Sequence, residues 1–233
     1  MKVLGMDTST SCGSVGLVED KWVISDHLLD IPITHSERLL TTIDWVLKES
    51  RLRISEIDGL AISLGPGSFT GLRIGVSTVK GLAFSLKKPI AGVSSLEVLA
   101  SQVSPTPYLL CPILDARKGE VYTAFYRYYE GGIYPQPQSS IEAIKPEQLV
   151  LRIKEPTLFF GNGVKTYGPF LKEKLQQLAM FPPPPFHIPH GSTVAKLGLE
   201  RLERGETIDL ATLIPLYIRP SEAEIKWREK YPV

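Results

Sequence analysis

Residues 2–29 read KVLGMDTSTSCGSVGLVEDKWVISDHLL, and this stretch decides the fold. It contains three short apolar runs, Lys2–Asp7, Ser14–Val18 and Trp22–Leu28. Only a polar break, Glu19-Asp20-Lys21, separates the second run from the third, and such a turn-like break predicts hairpin pairing. The chain is therefore predicted to begin with a three-stranded meander.

A helix is predicted directly after the meander, over His35–Arg51. Apolar residues recur there at three- and four-residue spacing, the period of an amphipathic helix: Leu39, Leu40, Ile43, Val46 and Leu47. The next predicted elements are strand Gly59–Leu64, helix Phe69–Leu86, strand Ile90–Val93 and the start of a helix at Leu96–Gln102. This order is that of a ribonuclease-H-like α/β half, and actin-like and Hsp70-like ATPases contain two such halves.

The second half of the chain predicts fewer elements. Its strands are expected at Tyr108–Leu114, Glu120–Tyr128 and Thr157–Phe160, and its helices at Lys165–Leu178 and Thr193–Glu203. The proline run at 181–186 predicts an extended connector, because proline fits neither a helix interior nor a central strand. We therefore predict an α/β, actin-like fold of two ribonuclease-H-like subdomains, 1–103 and an abbreviated 104–219, followed by a charged tail at 220–233.

The composition predicts a soluble, cytoplasmic protein that has no membrane partner. The chain has 233 residues, 43% of them hydrophobic, but no stretch of about 20 uncharged apolar residues and no room for a secretory signal before the first strand. Cys12 and Cys111 lie far apart and are expected to be reduced and buried. A net charge of +1 argues against tight RNA binding by this chain alone.

The most specific run is GPGSFTGLRIG at 65–75, between a predicted strand and a predicted helix. Ser68 is a predicted N-cap, and a glycine-rich turn of this kind can present backbone amides to an anion. The run is not a P-loop, because Lys80-Gly81 lies well inside the helix. The alternative is a packing surface: Gly71, Gly75, Thr78 and Leu82 lie near one side of the helix, where small residues let another backbone come close. The spacing favours packing.

Acidic and hydroxyl residues mark a second candidate site. Asp7, Thr8 and Ser9 end the first strand, and Asp115 closes the first strand of the later half, so the two carboxylates could face each other across a cleft. Together with Gly65 and Gly67, these residues are the nucleotide-binding candidates, although Asp, Ser and Thr are also ordinary turn formers. His187 and His190 lie among prolines without helical spacing, so no metal site is predicted there.

These motifs resemble the TsaB family, also called YeaZ. The resemblance rests on Asp7-Thr8-Ser9, the run 65–75, Asp115-Ala116-Arg117 with Glu120-Val121-Tyr122, and Pro215-Leu216-Tyr217-Ile218-Arg219. It implies a role in placing a threonylcarbamoyl group on N6 of adenosine 37 (t6A37) in certain tRNAs. In that system the metal-containing paralogue TsaD performs the transfer, and the ATPase TsaE joins the complex. Glycoprotease-like names derive from the paralogue and do not indicate peptidase activity here.

One departure from the catalytic paralogue decides the predicted role. Where TsaD resembles Asn-His-Leu-Glu-Gly-His, this chain has Ser94-Ser95-Leu96-Glu97-Val98-Leu99. Ser95 and Leu99 stand at the two histidine positions, and neither can replace imidazole as a metal ligand. We therefore predict no metal, no catalytic residues and no cofactor of the chain's own, although ATP or ADP could bind at the interface with TsaD.

The resemblance also implies where partners dock. The two helices His35–Arg51 and Phe69–Leu86 are expected to contact TsaD, and the isolated chain is expected to pair with itself through much the same face. Transfer RNA is expected to be reached only through the complex. The interface candidates are His35, Leu39, Ile43, Leu47, Phe69, Leu72, Gly75 and Val79. The alternative is an ATPase or small-molecule kinase that acts alone, with Asp7 and Asp115 around Mg-ATP.

Overall fold

The computed structural model describes residues 1–30, 34–219 and 227, and its first sheet confirms the predicted meander. The strands are β1 (Lys2–Asp7), β2 (Gly13–Glu19), β3 (Trp22–Leu29), β4 (Gly59–Gly65) and β5 (Ile90–Ser94). They lie in the order β3-β2-β1-β4-β5, with β1 to β3 antiparallel and β4 and β5 parallel to β1. Helices α1 (His35–Glu49) and α2 (Phe69–Leu86) connect strands of this sheet, and α3 (Ser95–Gln102) follows β5.

The two faces of the first sheet carry different helices. Because neighbouring residues of a strand point to opposite faces, Leu4 and Met6 pack with α1 and α2, whereas Val3 packs on the other side. Ser68 caps α2 as predicted, since its side chain accepts a hydrogen bond from the Gly71 amide. The last residue of α2 is followed by Lys87 in the left-handed conformation, which ends the helix.

The second sheet has mostly shorter strands than the first and is accompanied by two helices. It contains β6 (Leu109–Asp115), β7 (Val121–Thr123), β8 (Tyr126–Arg127), β9 (Gln136–Pro137), β10 (Glu142–Ile144), β11 (Thr157–Phe160) and β12 (Ala179–Met180). Helices α4 (Pro146–Arg152) and α5 (Gly163–Leu175) pack beside it. The sequence did not predict α4, β9, β10 or β12, all of which are seven residues or shorter.

Two sequence predictions for this half are wrong in detail. The strand predicted over Glu120–Tyr128 is broken between β7 and β8, because the Phe125 amide donates to the Ser139 hydroxyl instead of a neighbouring strand. The proline run is not extended throughout: Pro184–His187 forms a 3₁₀ turn. Proline is compatible with the first positions of such a turn, where its missing N–H is not needed.

The last helix, α6 (Gly191–Glu203), corrects the predicted subdomain boundary. It does not pack on the second sheet but crosses the open face of the first, where Val194, Ala195 and Leu197 join the core formed with Val3. Residues 208–216 also return to the first sheet, with Leu213 in its core. The first subdomain is therefore 1–103 plus 188–219, and the second is 104–187. The charged tail predicted at 220–233 lies outside the described residues except for Trp227.

Among the described residues, no helix combines the length and the apolar character needed to cross a bilayer.

Candidate functional site

A cleft of about 630 Å³ separates the two subdomains. One wall is formed by residues 9–11 of the β1–β2 turn, by the start of α1 and by residues 66–72 and 74 at the start of α2. The other wall is formed by Asp115, Ala116 and Arg117 of the β6–β7 turn, with Tyr122 and Asn162. Residues 216–219 run along the cleft as well. The cleft thus brings together residues of the 65–75 run, the β6–β7 turn and the segment 216–219.

The backbone at the start of α2 packs directly against the β1–β2 turn. The Ser68 amide donates to the Ser9 carbonyl at 2.7 Å, and the Thr8 hydroxyl donates to the Gly71 carbonyl at 2.8 Å. A Cβ atom at Gly67 would lie 2.2 Å from the Ser9 oxygen, and one at Gly71 would lie 2.1 Å from the Thr8 oxygen. The glycines of the 65–75 run therefore bring two backbone segments into contact, as the packing interpretation predicted.

Asp7 lies beneath this contact and is fully buried. Its carboxylate accepts hydrogen bonds from the Ser9 amide at 2.9 Å and from the Ser9 hydroxyl at 2.8 Å. Burial raises the pKa of Asp7 to about 6, although hydrogen bonds from Ser63 and Ser9 partly oppose this rise. The Ser63 hydroxyl is in turn 2.8 Å from the Ser95 hydroxyl, so Asp7 belongs to a buried polar cluster.

The nucleotide candidates are therefore divided between the core and the cleft. Asp7, Thr8 and Gly65 are buried and do not line the cleft, whereas Ser9, Gly67 and Asp115 line it. The two carboxylates thus do not face each other across the cleft, and that expectation is wrong. Asp115 is fixed at the cleft wall, because its amide donates to the Asn162 side chain and its carboxylate accepts from the Arg117 amide.

Most of the interface candidates lie inside the monomer. Leu39, Ile43, Leu47 and Val79 belong to the core under the first sheet, and Leu72 is 1% exposed. Only two candidates are partly exposed: His35, whose Nε2 is 2.8 Å from the Thr10 carbonyl, and Phe69, which lies under the Arg73 guanidinium. The helical period identified the buried stripe of each helix, so these side chains cannot form the exposed part of a docking surface.

Gly75 also packs inside the monomer. A Cβ atom there would lie 2.3 Å from the Thr8 hydroxyl oxygen and 3.1 Å from Ile62. A bulky residue at this position would disturb the fold before it disturbed any partner, which corrects the expectation that Gly75 contacts another chain.

Other apolar residues of the two helices are exposed and were missed. They are Leu40 and Trp45 on α1, at 58% and 46%, and Phe84 on α2, at 77%. Trp45 also packs its ring 4.5 Å from that of His27 on β3. For Trp45 and Phe84 the available signal was their position off the buried stripe, where an amphipathic helix normally carries polar residues. Leu40 gave no such signal, because its spacing placed it in the periodic set.

The positions compared with the metal ligands of the paralogue are buried. The Ser95 hydroxyl is hydrogen-bonded to that of Ser63, and Leu99 lies in a hydrophobic cluster between α3 and the second sheet. Within residues 1–30 and 34–219, no group of three or more His, Cys, Asp or Glu side chains could hold a metal ion. His187 accepts from the Gly161 amide, and His190 bonds to Asp26 at 2.6 Å, so both imidazoles have protein partners.

Comparison with known proteins gives consistent matches. Residues 32–227 match the family model described as TsaD, tRNA N6-adenosine threonylcarbamoyltransferase. The tRNA threonylcarbamoyladenosine biosynthesis protein TsaB of Bacillus subtilis is 33% identical, over 98% of this chain and 99% of that protein. The structure of YeaZ from Pseudomonas aeruginosa superposes with a TM-score of 0.78 at 30% identity, over 93% of this chain and 99% of that one.

A more distant structure supports the fold alone. The activator of the 2-hydroxyisocaproyl-CoA dehydratase from Clostridium difficile, solved with bound ADPNP, has a TM-score of 0.52 at 10% identity. The match covers 88% of this chain and 97% of that protein. The two-subdomain, actin-like architecture predicted from the sequence is therefore confirmed.

Proposed function

The chain belongs to the TsaB (YeaZ) family, and from this premise we propose that it acts in tRNA threonylcarbamoyladenosine synthesis as a non-catalytic subunit. In this proposal it supports and orients the metal-containing transferase TsaD, together with TsaE, for modification of adenosine 37. The chain contacts tRNA only through that complex. Any ATP or ADP that it holds lies at the interface with TsaD.

The observation that carries the proposal is the contact between the β1–β2 turn and the start of α2. In a phosphate-binding turn, amides and hydroxyls point toward the ligand. Here the Ser9 amide donates to Asp7, the Thr8 hydroxyl donates to Gly71, and the Ser68 amide donates to Ser9. These donors are occupied within the chain, which supports a scaffold more than an independent ATPase.

The positions of Ser95 and Leu99 support the same proposal. Both side chains are fully buried, and neither offers an imidazole for a metal that would polarise a carbamoyl group. Asp115 keeps a carboxylate on the cleft wall, so a nucleotide with Mg²⁺ could still reach one acidic group. This carboxylate is the specific feature that keeps the alternative, an ATPase or small-molecule kinase, open to test.

Reconstitution tests the proposal. We expect threonylcarbamoyl transfer to tRNA by TsaD and TsaE to fall to background when this chain is omitted, and to return when it is added. The isolated chain is expected to hydrolyse no ATP above a no-protein control. Mg-dependent hydrolysis by the pure chain that is lost in Asp115→Asn would instead support the enzyme alternative.

Phe84 tests the docking surface on α2. Its side chain is 77% exposed, and burying a phenylalanine typically contributes about 1.5–3 kcal/mol. We therefore expect Phe84→Ser to weaken binding to TsaD at least about tenfold, as measured by calorimetric titration. The same variant should shift the isolated chain toward the monomer in sedimentation equilibrium.

Leu151 provides the matched control for Phe84. It is 72% exposed but lies on α4 of the second subdomain, away from the two helices. Leu151→Ser should leave TsaD binding unchanged. Neither Phe84→Ser nor Leu151→Ser should change the free energy of unfolding by more than about 0.5 kcal/mol. Equal affinities for Phe84→Ser, Leu151→Ser and the wild type would exclude α2 as the docking helix.

A further inference from the structure

The two chain crossings between the subdomains meet at Gln102. The chain enters the second subdomain after α3 and returns to the first subdomain before α6. The Gln102 side chain donates to the Ile188 carbonyl at 2.9 Å and accepts from the His190 amide at 2.9 Å. Because one side chain holds both crossings together, the covalent links lie side by side, an arrangement that permits rotation of one subdomain against the other.

A third connection runs along the cleft through residues 216–219. On the first subdomain, the Leu216 amide donates to the Leu64 carbonyl at 2.7 Å. The Tyr217 ring stacks 4.8 Å from Phe69, and its hydroxyl accepts from Arg73 Nε at 2.9 Å. This end of the segment is therefore held by backbone and aromatic contacts.

In the part of the segment that the structure describes, the other end reaches the second subdomain through the side chain of Arg219. Arg219 Nη1 lies 2.8 Å from Glu120 Oε2 and 3.3 Å from the Ala116 carbonyl oxygen. The side chains of Arg219 and Glu120 are 22% and 27% exposed, so solvent can compete for the ion pair. The segment is thus firmly fixed on one subdomain and held by a breakable contact on the other.

We propose that residues 216–219 form a brace that fixes the opening of the cleft, with Arg219 as its releasable end. Rotation that moves the β6–β7 turn away from α2 must break the pair between Arg219 and Glu120, because Tyr217 stays attached to Phe69 and Arg73. A carboxylate or phosphate that enters the cleft competes with Glu120 for the same guanidinium. This inference concerns the isolated chain and does not depend on the proposed function.

A distance measurement between the subdomains tests the brace. Spin labels at Ser85→Cys on α2 and Lys165→Cys on α5 report the opening, since both positions are exposed and both native cysteines are buried. In the otherwise wild-type chain we expect, by pulsed electron resonance, one dominant narrow distance and a small second population. Arg219→Met and Glu120→Gln should each increase a second, altered-distance population by up to about fivefold. The double variant should add nothing to the effect of either.

Arg127→Met is the matched control. Arg127 Nη2 pairs with Glu155 Oε1 at 2.7 Å, but both residues lie within the second subdomain, so their loss should not change the distance. Exchange of the charges, Arg219→Glu with Glu120→Arg, should restore much of the narrow distribution. Circular dichroism establishes that each variant is folded. If Arg219→Met does not fold, the Glu120→Gln variant is sufficient for the test. Distributions for Glu120→Gln that match those of the wild type and of Arg127→Met would overturn the proposal.

Discussion

Replacing Gly16 by alanine is expected to destabilise the chain by about 3 kcal/mol or more. Gly16 lies in the middle of β2, and a Cβ atom there would be 2.0 Å from the Ser192 nitrogen and 2.3 Å from the Gly191 carbonyl carbon. Both are backbone atoms at the start of α6, so a side-chain rotation cannot relieve the overlap. The helix must move away from the first sheet, and the core that it covers then loses contacts.

Thermal unfolding followed by circular dichroism measures this effect. For a chain of this size, a loss of about 3 kcal/mol corresponds to a fall in Tm of roughly 10 °C. Gly81→Ala is the control, because nothing lies within 4 Å of a Cβ atom at that exposed position inside α2. It should raise stability by about 0.5–1 kcal/mol through helix propensity. A Gly16→Ala variant as stable as Gly81→Ala would show that α6 does not pack closely on the sheet.

The strands and helices of the first hundred residues could be predicted because each shows its own period. The strand Lys2–Asp7 and the helix Phe69–Leu86 have the predicted bounds, and the hairpin turn lies at the expected polar break. Ser68 was identified as an N-cap from the strand-to-helix position alone. These features depend on a few neighbouring residues, so a single sequence is sufficient to predict them.

The placement of α6 could not be predicted in the same way. Its helical period shows that one face is buried, but not which sheet covers that face. The signal was the pair Gly5 and Gly16, which are directly opposite each other on β1 and β2. Glycine weakens a strand interior unless another backbone approaches closely, as α6 does here.

The candidate site could likewise be predicted only in part from the sequence. The sequence places a carboxylate at the end of β1, but only the fold shows that the start of α2 covers it. Spacing on α1 and α2 identified most of the residues that are buried in the monomer. It also placed Leu40 in the periodic set, although that side chain is 58% exposed, and it did not identify Phe84, which lies off the period. Tertiary packing decides both the burial of Asp7 and the exposure of these helix residues, and a local sequence pattern carries no information about that packing.

Asp7→Asn is expected to stabilise the folded chain at neutral pH, by up to about 3 kcal/mol. Burial raises the pKa of Asp7 from 3.8 to about 6, and each unit of pKa corresponds to about 1.4 kcal/mol. The folded state therefore keeps a proton that the unfolded chain has already released. As the pH rises from about 4 to about 6, the wild type loses stability, and above pH 7 the full penalty of burying the charge is present.

Asparagine removes the charge but retains an oxygen that can accept from the Ser9 amide, the bond that Asp7 makes at 2.9 Å. The stability difference between Asp7→Asn and the wild type should therefore be close to zero near pH 4 and largest above pH 7. Urea unfolding at pH 4.5, 5.5 and 7.5 measures it, because the pH dependence of all other groups cancels in the difference.

Asp44→Asn is the control for a surface carboxylate, since Asp44 is 60% exposed on α1 and pairs with Lys48. Its effect should stay within about 0.5 kcal/mol at every pH. An Asp7→Asn variant that is less stable than the wild type at pH 7.5 would indicate that the ionised carboxylate is needed by its neighbours. A gain that disappears toward pH 4 would instead identify Asp7 as a charge buried by the start of α2, and hence as a group that a ligand in the cleft does not reach.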